Sequence, residues 1–250
     1  MSDISRVVLI SGATGGVGKE IANYMAKCGY SVGVGFTHHP EKAKAIVDGI
    51  KSVGGKAIDV YFDYLSRDSI KSALVKVEEY FGSEVSILIN NGAISQEKPF
   101  DAITDADWDL MMKINLQGPF VAVQEVLPSM ERNSWGRIIN ISSIGGQWGG
   151  FNQVHYAASK AGLINLTRSL AKIYSKSGIV SVAVAIGLVE TEMSSRELAS
   201  EAGKEKVKQI PAQRLATVTE ISKIVEQLCH DEMSYLTGQT LNVNGGMYFG

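Results

Sequence analysis

Val7-Val8-Leu9-Ile10-Ser11-Gly12-Ala13-Thr14-Gly15-Gly16-Val17-Gly18 lies near the start of a 250-residue chain. Its first four residues form a short apolar run rich in β-branched side chains, the pattern of a buried strand. A glycine-rich segment follows at once. Beyond it, Ile21, Ala22, Met25 and Ala26 fall on one side of a helix. Strand, glycine turn and helix together are the setting in which such a segment acquires a ligand. Glycines permit the tight turn and let a ligand approach the backbone. The helix start offers free N–H groups and a partial positive charge to a pyrophosphate. The spacing is Gly-x-x-Gly-Gly-x-Gly, not the usual dinucleotide Gly-x-Gly-x-x-Gly, so phosphate binding and a purely structural turn both fit at this stage.

Further along, strand and helix patterns alternate. Strands are expected at Ser31–Phe36, Lys56–Phe62, Val85–Ile89, Gly136–Ser143, Ile179–Ile186 and Thr240–Val243. Helices are expected at Pro40–Val53, from a Ser66 cap to Phe81 with a stop at Gly82, and from Thr104 or Asp105 onward. The last of these contains Asn115 and Pro119, so a kink near Asn115 is expected. A long helix carries Tyr156, and another opens at Thr219 or Glu220 and runs to about His230. Residues 189–214 are polar and irregular and read as a lid, with Met193 and Leu198 toward a substrate. This alternation argues for a single α/β domain over residues 1–250. Its architecture is a Rossmann-type doubly wound parallel sheet of about seven strands with helices on both faces. Ligands of such sheets bind at the carboxyl ends of the strands. The 12–18 loop, Thr37, Asp63, Asn90, Ser143 and Thr191 each come at or just after the end of a strand.

Composition bounds the function. The chain is 45% hydrophobic and 20% charged with net charge −2, a globular balance without the basic excess of a nucleic-acid binder. No apolar run reaches the ~18–20 residues that span a bilayer. Met1-Ser2-Asp3 leads straight to the first strand, so no signal peptide is expected and a cytoplasmic location is. Cys28 and Cys229 read as idle thiols, and the four histidines have no metal-ligand spacing.

The second strand ends in Thr37-His38-His39-Pro40. In a dinucleotide fold an acid here favours NAD, while its absence beside basic groups favours the phosphate of NADP. No acid stands at positions 36–39, so NADP is favoured, with Thr37, His38 and His39 as candidate phosphate contacts. An exposed turn is the other reading of the two histidines.

Gly136-Arg137-Ile138-Ile139-Asn140-Ile141-Ser142-Ser143 ends its strand in two serines, and Tyr156-Ala157-Ala158-Ser159-Lys160 follows on a helix. Four residues apart, Tyr156 and Lys160 share a helix face. A free tyrosine has a pKa of about 10, and a nearby cation lowers it. Ser143 can hold a substrate oxygen while Tyr156 gives or takes its proton. Taken alone, the pair also fits an ordinary helix surface.

Together these motifs resemble the short-chain dehydrogenase/reductase family along the whole chain. Ser11–Gly18 is similar to its Thr-Gly-x-x-x-Gly-x-Gly, Asn90-Asn91-Gly92-Ala93 to its Asn-Asn-Ala-Gly, and Tyr156-x-x-x-Lys160 to its catalytic pair. Ser143, thirteen residues before Tyr156, stands at the family serine, and Asn115 in Lys113-Ile114-Asn115-Leu116 at its fourth catalytic position. Val189-Glu190-Thr191-Glu192-Met193 resembles the segment beside the nicotinamide. The resemblance implies catalytic Asn115, Ser143, Tyr156 and Lys160. It implies a cofactor site of Gly12, Thr14, Gly16, Val17, Gly18, Asp63 (against adenine), Asn90, Gly92, Tyr156, Lys160, Gly187, Val189 and Thr191. Lys160 would lower the Tyr156 pKa and hold the nicotinamide ribose, and Asn115 would anchor a water.

Within the family the likeness is strongest to β-ketoacyl reductases, through Asn140–Ser143, Tyr156–Gly162 and Leu241–Gly246. The implied reaction is NADPH-dependent reduction of a 3-oxoacyl thioester on an acyl carrier protein or coenzyme A, in a homotetramer or homodimer. The apolar end Met247-Tyr248-Phe249 suits a subunit interface. Gln147, Trp148, Phe151, Gln153, Leu188 and Met193 are candidate substrate contacts, and Arg196, Lys204, Lys206, Lys208 and Arg214 candidate contacts to an acidic carrier. Three departures stand out: Gly92-Ala93 is reversed, Ile186 replaces a proline before Gly187, and Ser11 replaces threonine. A sugar or polyol dehydrogenase with the same tetrad is the alternative enzyme. A nucleotide-binding regulator without turnover is the alternative outside enzymes.

Overall fold

A computed structural model describes residues 6–191 and 200–250. Seven parallel strands form one sheet: β1 (Val7–Ile10), β2 (Ser31–Phe36), β3 (Lys56–Tyr61), β4 (Val85–Asn90), β5 (Gly136–Ser143), β6 (Ile179–Ile186) and a last strand, β9 (Thr240–Val243). Their order is β3-β2-β1-β4-β5-β6-β9. The chain reverses direction of growth between β1 and β4, which opens a crevice at the carboxyl end of those two strands.

Both sheet faces are buried, which is why β1, β2 and β4 read as continuous apolar runs rather than alternating ones. The alternation is still present as a division between two cores. Val8, Ile10, Val34, Ile87, Ile89 and Ile139 meet Ile21 and Met25 of α1 (Gly16–Lys27), Ile46 of α2 (Pro40–Ser52) and Val225 of α9 (Val218–Gln227). Leu9, Leu88 and Ile138 point the other way. They meet Ile70 and Val77 of α3 (Arg67–Phe81), Val126 of α5 (Gly118–Arg132) and Leu170 of α7 (Val154–Tyr174). Each fully buried aliphatic side chain contributes about 1.5–3 kcal/mol.

Helix starts follow local chemistry. Ser66 Oγ accepts from the Ser69 N–H ahead of α3. Thr104 and Asp107 form a capping box on α4 (Asp105–Met112), and Thr217 and Glu220 form one on α9. The α9 start therefore lies at Val218, earlier than the expected Thr219 or Glu220, because Thr217 is the residue whose hydroxyl reaches the Glu220 N–H. The third strand stops one residue short of Phe62. The kink expected from Pro119 takes the form of a π-turn over Lys113–Gln117, between α4 and α5. Pro119 has no N–H to send to the Asn115 carbonyl, so a regular α-helical register cannot close there.

Residues 189–214 are more ordered than expected where they are described. Val189–Glu190 (β7) pairs in parallel with Ala216–Thr217 (β8), and Glu201–Lys208 forms a helix, α8. Met193, Arg196 and Leu198 lie outside the described residues. A short helix, α6 (Gly145–Trp148), between β5 and α7 was not legible as such. No helix among the described residues is long and apolar enough to cross a membrane.

Candidate active site

The glycine loop is held by packing on one side and left bare on the other. Gly12 has φ +60°, and a Cβ on it would sit 2.6 Å from Gly92 Cα. A Cβ on Gly18 would fall 2.5 Å from both Asn91 Nδ2 and the Gly12 carbonyl oxygen. Asn91 Nδ2 donates to the Ser11 and Gly12 carbonyls at 3.1 and 3.0 Å, fastening the loop to the end of β4. These contacts account for Gly12 and Gly18 structurally. The start of α1 is different. Its N-cap, Gly15, supplies no side-chain bond, and no acid stands in the first turn, unlike α3, α4 and α9. The Gly16, Val17 and Gly18 end of α1, with Thr14 before it, is thus fitted to an anion. A Cβ on Gly16 would lie 3.0 Å from Thr191 Cγ2, so the loop and the segment after β7 pack directly on one another.

At the end of β2, the Thr37 hydroxyl donates to the Phe62 carbonyl at 2.8 Å. His38 is exposed, and His39 takes a left-handed backbone (φ 63°) as the N-cap of α2 with its ring 3.2 Å from Glu41 Oε1. Asp63 caps its own turn: Oδ1 accepts from the Leu65 N–H at 2.9 Å and Oδ2 faces the Tyr61 hydroxyl at 3.4 Å. Gly187 packs tightly on Asn244, with 2.9 Å between a would-be Cβ and Asn244 Cα. Val189 is buried beside β8.

Ser143 closes β5, and α7 brings Tyr156 and Lys160 back toward it. The Ser142 hydroxyl donates to the Lys160 carbonyl at 3.0 Å, tying strand end to helix. Gly146 of α6 packs on the same turn, where a Cβ would meet the Lys160 carbonyl carbon at 2.7 Å. Lys160 Nζ is buried, donates to the Ile141 carbonyl at 2.9 Å, and lies 5.7 Å from the centroid of the Tyr156 ring. Burial pushes Lys160 down to about 8. Burial raises Tyr156 above its ordinary value, and a hydrogen bond with Ser143 pulls it the other way. Lys160 is not among the groups that shift the phenol in this arrangement. The ammonium is directed at a backbone carbonyl, and desolvation of the phenolate dominates.

Asn115 is buried in the π-turn and its side chain is committed. Oδ1 accepts from the Ile94 N–H, and Nδ2 donates to the Ile94 carbonyl, each at 2.9 Å, with Ser159 Oγ 3.2 Å away. It pins the segment after β4 against α7. Nearby, Gln153 Nε2 reaches Ser95 Oγ and Glu97 Oε1 at 3.3 and 3.4 Å, so it too serves this seam.

Other substrate candidates scatter. Trp148 is half-exposed and sits edge-on to Tyr248, 6.5 Å between ring centroids, and Phe151 is fully exposed. Gln147 has a buried Oε1 without a partner. Leu188 lines a cavity of about 350 Å³ with Ile210, Arg214, Glu220 and Val243, a space that none of Asn115, Ser143, Tyr156 and Lys160 lines. Met193 lies outside the described residues. Lys204, Lys208 and Arg214 pair with Glu201, Glu205 and Glu220, so α8 and its flank carry balanced charge rather than a bare basic face.

Sequence reading gave Asn90 to the cofactor and missed the line of buried polar side chains that it joins below the site. Tyr64 Oη joins Ser11 Oγ to Asn90 Oδ1, Asn90 Nδ2 donates to Asn140 Oδ1, and Asn140 Nδ2 donates to Thr167 Oγ1. The only available signal was the presence of polar residues inside apolar runs.

Comparison with known proteins agrees with this geometry. The family model for short chain dehydrogenase matches residues 6–202. A 3-oxoacyl-[acyl-carrier-protein] reductase of Aquifex aeolicus is 39% identical over 245 residues, 97% of each chain. That of Staphylococcus epidermidis is 36% identical over 98% of this chain and all of its own. That of Escherichia coli is 37% identical over 97% of both. With a glycine loop on an uncapped helix, and Ser143, Tyr156 and Lys160 gathered at the end of β5, the chain belongs to the short chain dehydrogenase family.

Proposed function

We propose that the chain is an NADPH-dependent reductase of 3-oxoacyl thioesters carried on an acyl carrier protein or coenzyme A. The observation that carries this reading is identity of 36–39% to 3-oxoacyl-[acyl-carrier-protein] reductases along nearly the whole chain.

Bound NADPH supplies hydride to the carbonyl carbon. The chain does the rest. The bare α1 start with Thr14, Gly16, Val17 and Gly18 receives the pyrophosphate. Thr37, His38 and His39, with no acid before Glu41, receive the 2′-phosphate, and Asp63 borders the adenine. Thr191 and Val189, with Gly187 before them, flank the nicotinamide end. The Ser143 hydroxyl donates to the substrate oxygen and fixes its position. Tyr156, kept protonated by burial, gives its proton to that oxygen as negative charge develops. Lys160 orients the ribose and stabilises the phenolate left behind. The Asn115 carbonyl, relieved of a helical donor by Pro119, holds a water that returns a proton to the site. Part of 189–214 closes over the acyl group, and the exposed Phe151 and Phe249 are covered in a homotetramer or homodimer.

The test is NADPH and NADH oxidation with acetoacetyl-coenzyme A and with its carrier-protein counterpart. Fast NADPH oxidation with either thioester supports the reading. Turnover confined to sugars or polyols overturns it.

A further inference from the structure

We propose that Tyr64 is a positioning residue for the cofactor loop, and that Gly92 is the change that makes room for its ring. The proposal rests on the cofactor reading of the glycine loop and goes beyond it to a buried residue to which that reading gives no part.

The hydroxyl of Tyr64 is the hub of a directed line of bonds. It has one proton, which it donates to Asn90 Oδ1 at 2.8 Å. Ser11 Oγ, 2.6 Å away, must then be the donor to Tyr64. A weaker claimant for the Ser11 proton is the Ile89 carbonyl at 3.3 Å. With its proton so directed, Ser11 Oγ turns its lone pairs to the N–H groups of Asn91 and Gly92, each at 3.0 Å. Those two residues are the ones against which Gly12 and Gly18 pack. Tyr64 therefore sets the rotor of Ser11, Ser11 sets the turn after β4, and that turn supports the loop and the start of α1. On the far side the line continues through Asn90, Asn140 and Thr167 at 2.8 Å each, ending at the Leu163 carbonyl on α7. Floor and catalytic helix thus share one buried chain of polar side chains, and leaving one end unpaired costs more than the bond itself is worth.

The ring has steric consequences. A Cβ at position 92 would lie 3.1 Å from Tyr64 Cε2, 3.3 Å from Gly12 N and 3.4 Å from Ser11 Oγ. A Cβ at Gly118 would fall 2.3 Å from Tyr64 Cβ. The reversed order Gly92-Ala93 thus places the residue without a side chain where the tyrosine edge arrives.

The experiment is a mutant cycle on the full chain, reading NADPH Kd by fluorescence titration, the split between cofactor KM and kcat, and thermal unfolding. Tyr64→Phe keeps the ring and removes the hydroxyl. It should weaken NADPH binding by roughly 5–10-fold, with cofactor KM rising more than kcat falls. Gly92→Ala should weaken binding by a similar factor in the wild-type background and by much less in the Tyr64→Leu background, since the smaller side chain yields the space. A merely structural Tyr64 would lower the unfolding temperature without moving Kd, and would overturn the proposal. So would equal Gly92→Ala effects in the two backgrounds. A wild-type chain that binds no nicotinamide nucleotide would overturn the cofactor reading and this role together. Binding by the wild type that Tyr64→Phe leaves unchanged would overturn this role alone.

Discussion

The Lys160 ammonium donates to the Ile141 carbonyl oxygen across 2.9 Å, inside the sheet rather than toward solvent. A buried ammonium with one backbone partner is costly to the folded state. Its folded pKa of about 8 lies below the value of about 10.4 in an unfolded chain. The unfolded chain therefore binds more protons between these values, and stability rises with pH across that window. Below pH 8 the penalty is fully present.

Lys160→Met should remove that penalty while abolishing turnover. At pH 7 the variant should be more stable by about 1–3 kcal/mol, less than the full pKa shift implies because the Ile141 carbonyl loses its donor. The gap should shrink toward pH 10. Urea unfolding at pH 7 and pH 9.5 measures it, and a gap independent of pH would contradict the account.

Tyr156→Phe should bind NADPH about as well as wild type and lose roughly 10²–10⁴-fold in kcat, the usual span for one proton-transferring group. Single-turnover rates at saturating cofactor separate this from a binding defect. Retention of wild-type turnover would refute proton donation by Tyr156.

Asn115→Ala should unpair both the N–H and the carbonyl of Ile94. The expected cost is about 2–4 kcal/mol, from two backbone groups left without partners. Hydrogen exchange should rise first in residues 93–99, and activity should fall with it. Faster exchange spread evenly over the sheet would point to a general packing loss instead.

His38→Asp adds an acid at the end of β2, on an exposed side chain. Preference for NADPH over NADH should fall by at least about tenfold, through repulsion of the 2′-phosphate and a new acceptor for ribose hydroxyls. An unchanged ratio of kcat/KM for the two cofactors would remove His38 from the phosphate site.

At the amino end of the sheet, the Asp231 carboxylate accepts from Arg6, Arg137 and the Trp135 indole at 3.1, 3.0 and 2.8 Å. The Trp135 hydrogen bond leads in holding its pKa low, with Arg6 adding to it. Its contribution is complete above the unfolded carboxyl value and is lost as pH falls through the lower folded one. Asp231→Asn should destabilise the protein by about 1–2 kcal/mol at pH 7, since the carboxylate is largely exposed but Arg137 is not. The difference from wild type should fade in acid. This end of the molecule is remote from Tyr156, so kcat should hold.

Local chemistry made most of the fold legible. Short runs rich in apolar residues marked the central strands β1, β4, β5 and β6, because a parallel strand buried on both faces is largely apolar, while β3 and β9, at the two edges, keep polar residues such as Asp59 and Asn242. Ser66, Thr104 and Gly82 marked helix ends because capping is decided within a few residues of chain. Pro119 announced the distortion at Asn115 for the same reason, since a missing N–H is a property of one residue. The spacing of Tyr156 and Lys160 followed from helix periodicity, and Ser143 from the end of its strand.

Tertiary structure decided what depends on groups far apart in sequence. It directed Lys160 at Ile141, set burial against the charge of Tyr156, and turned the side chain of Asn115 to the backbone of Ile94. It assembled Ser11, Tyr64, Asn90, Asn140 and Thr167 into one line through β1, β4, β5 and α7. Hydrophobic periodicity records only which side of an element is buried. The partner of a buried polar group is fixed by strand order and register, and these arise when the whole sheet closes.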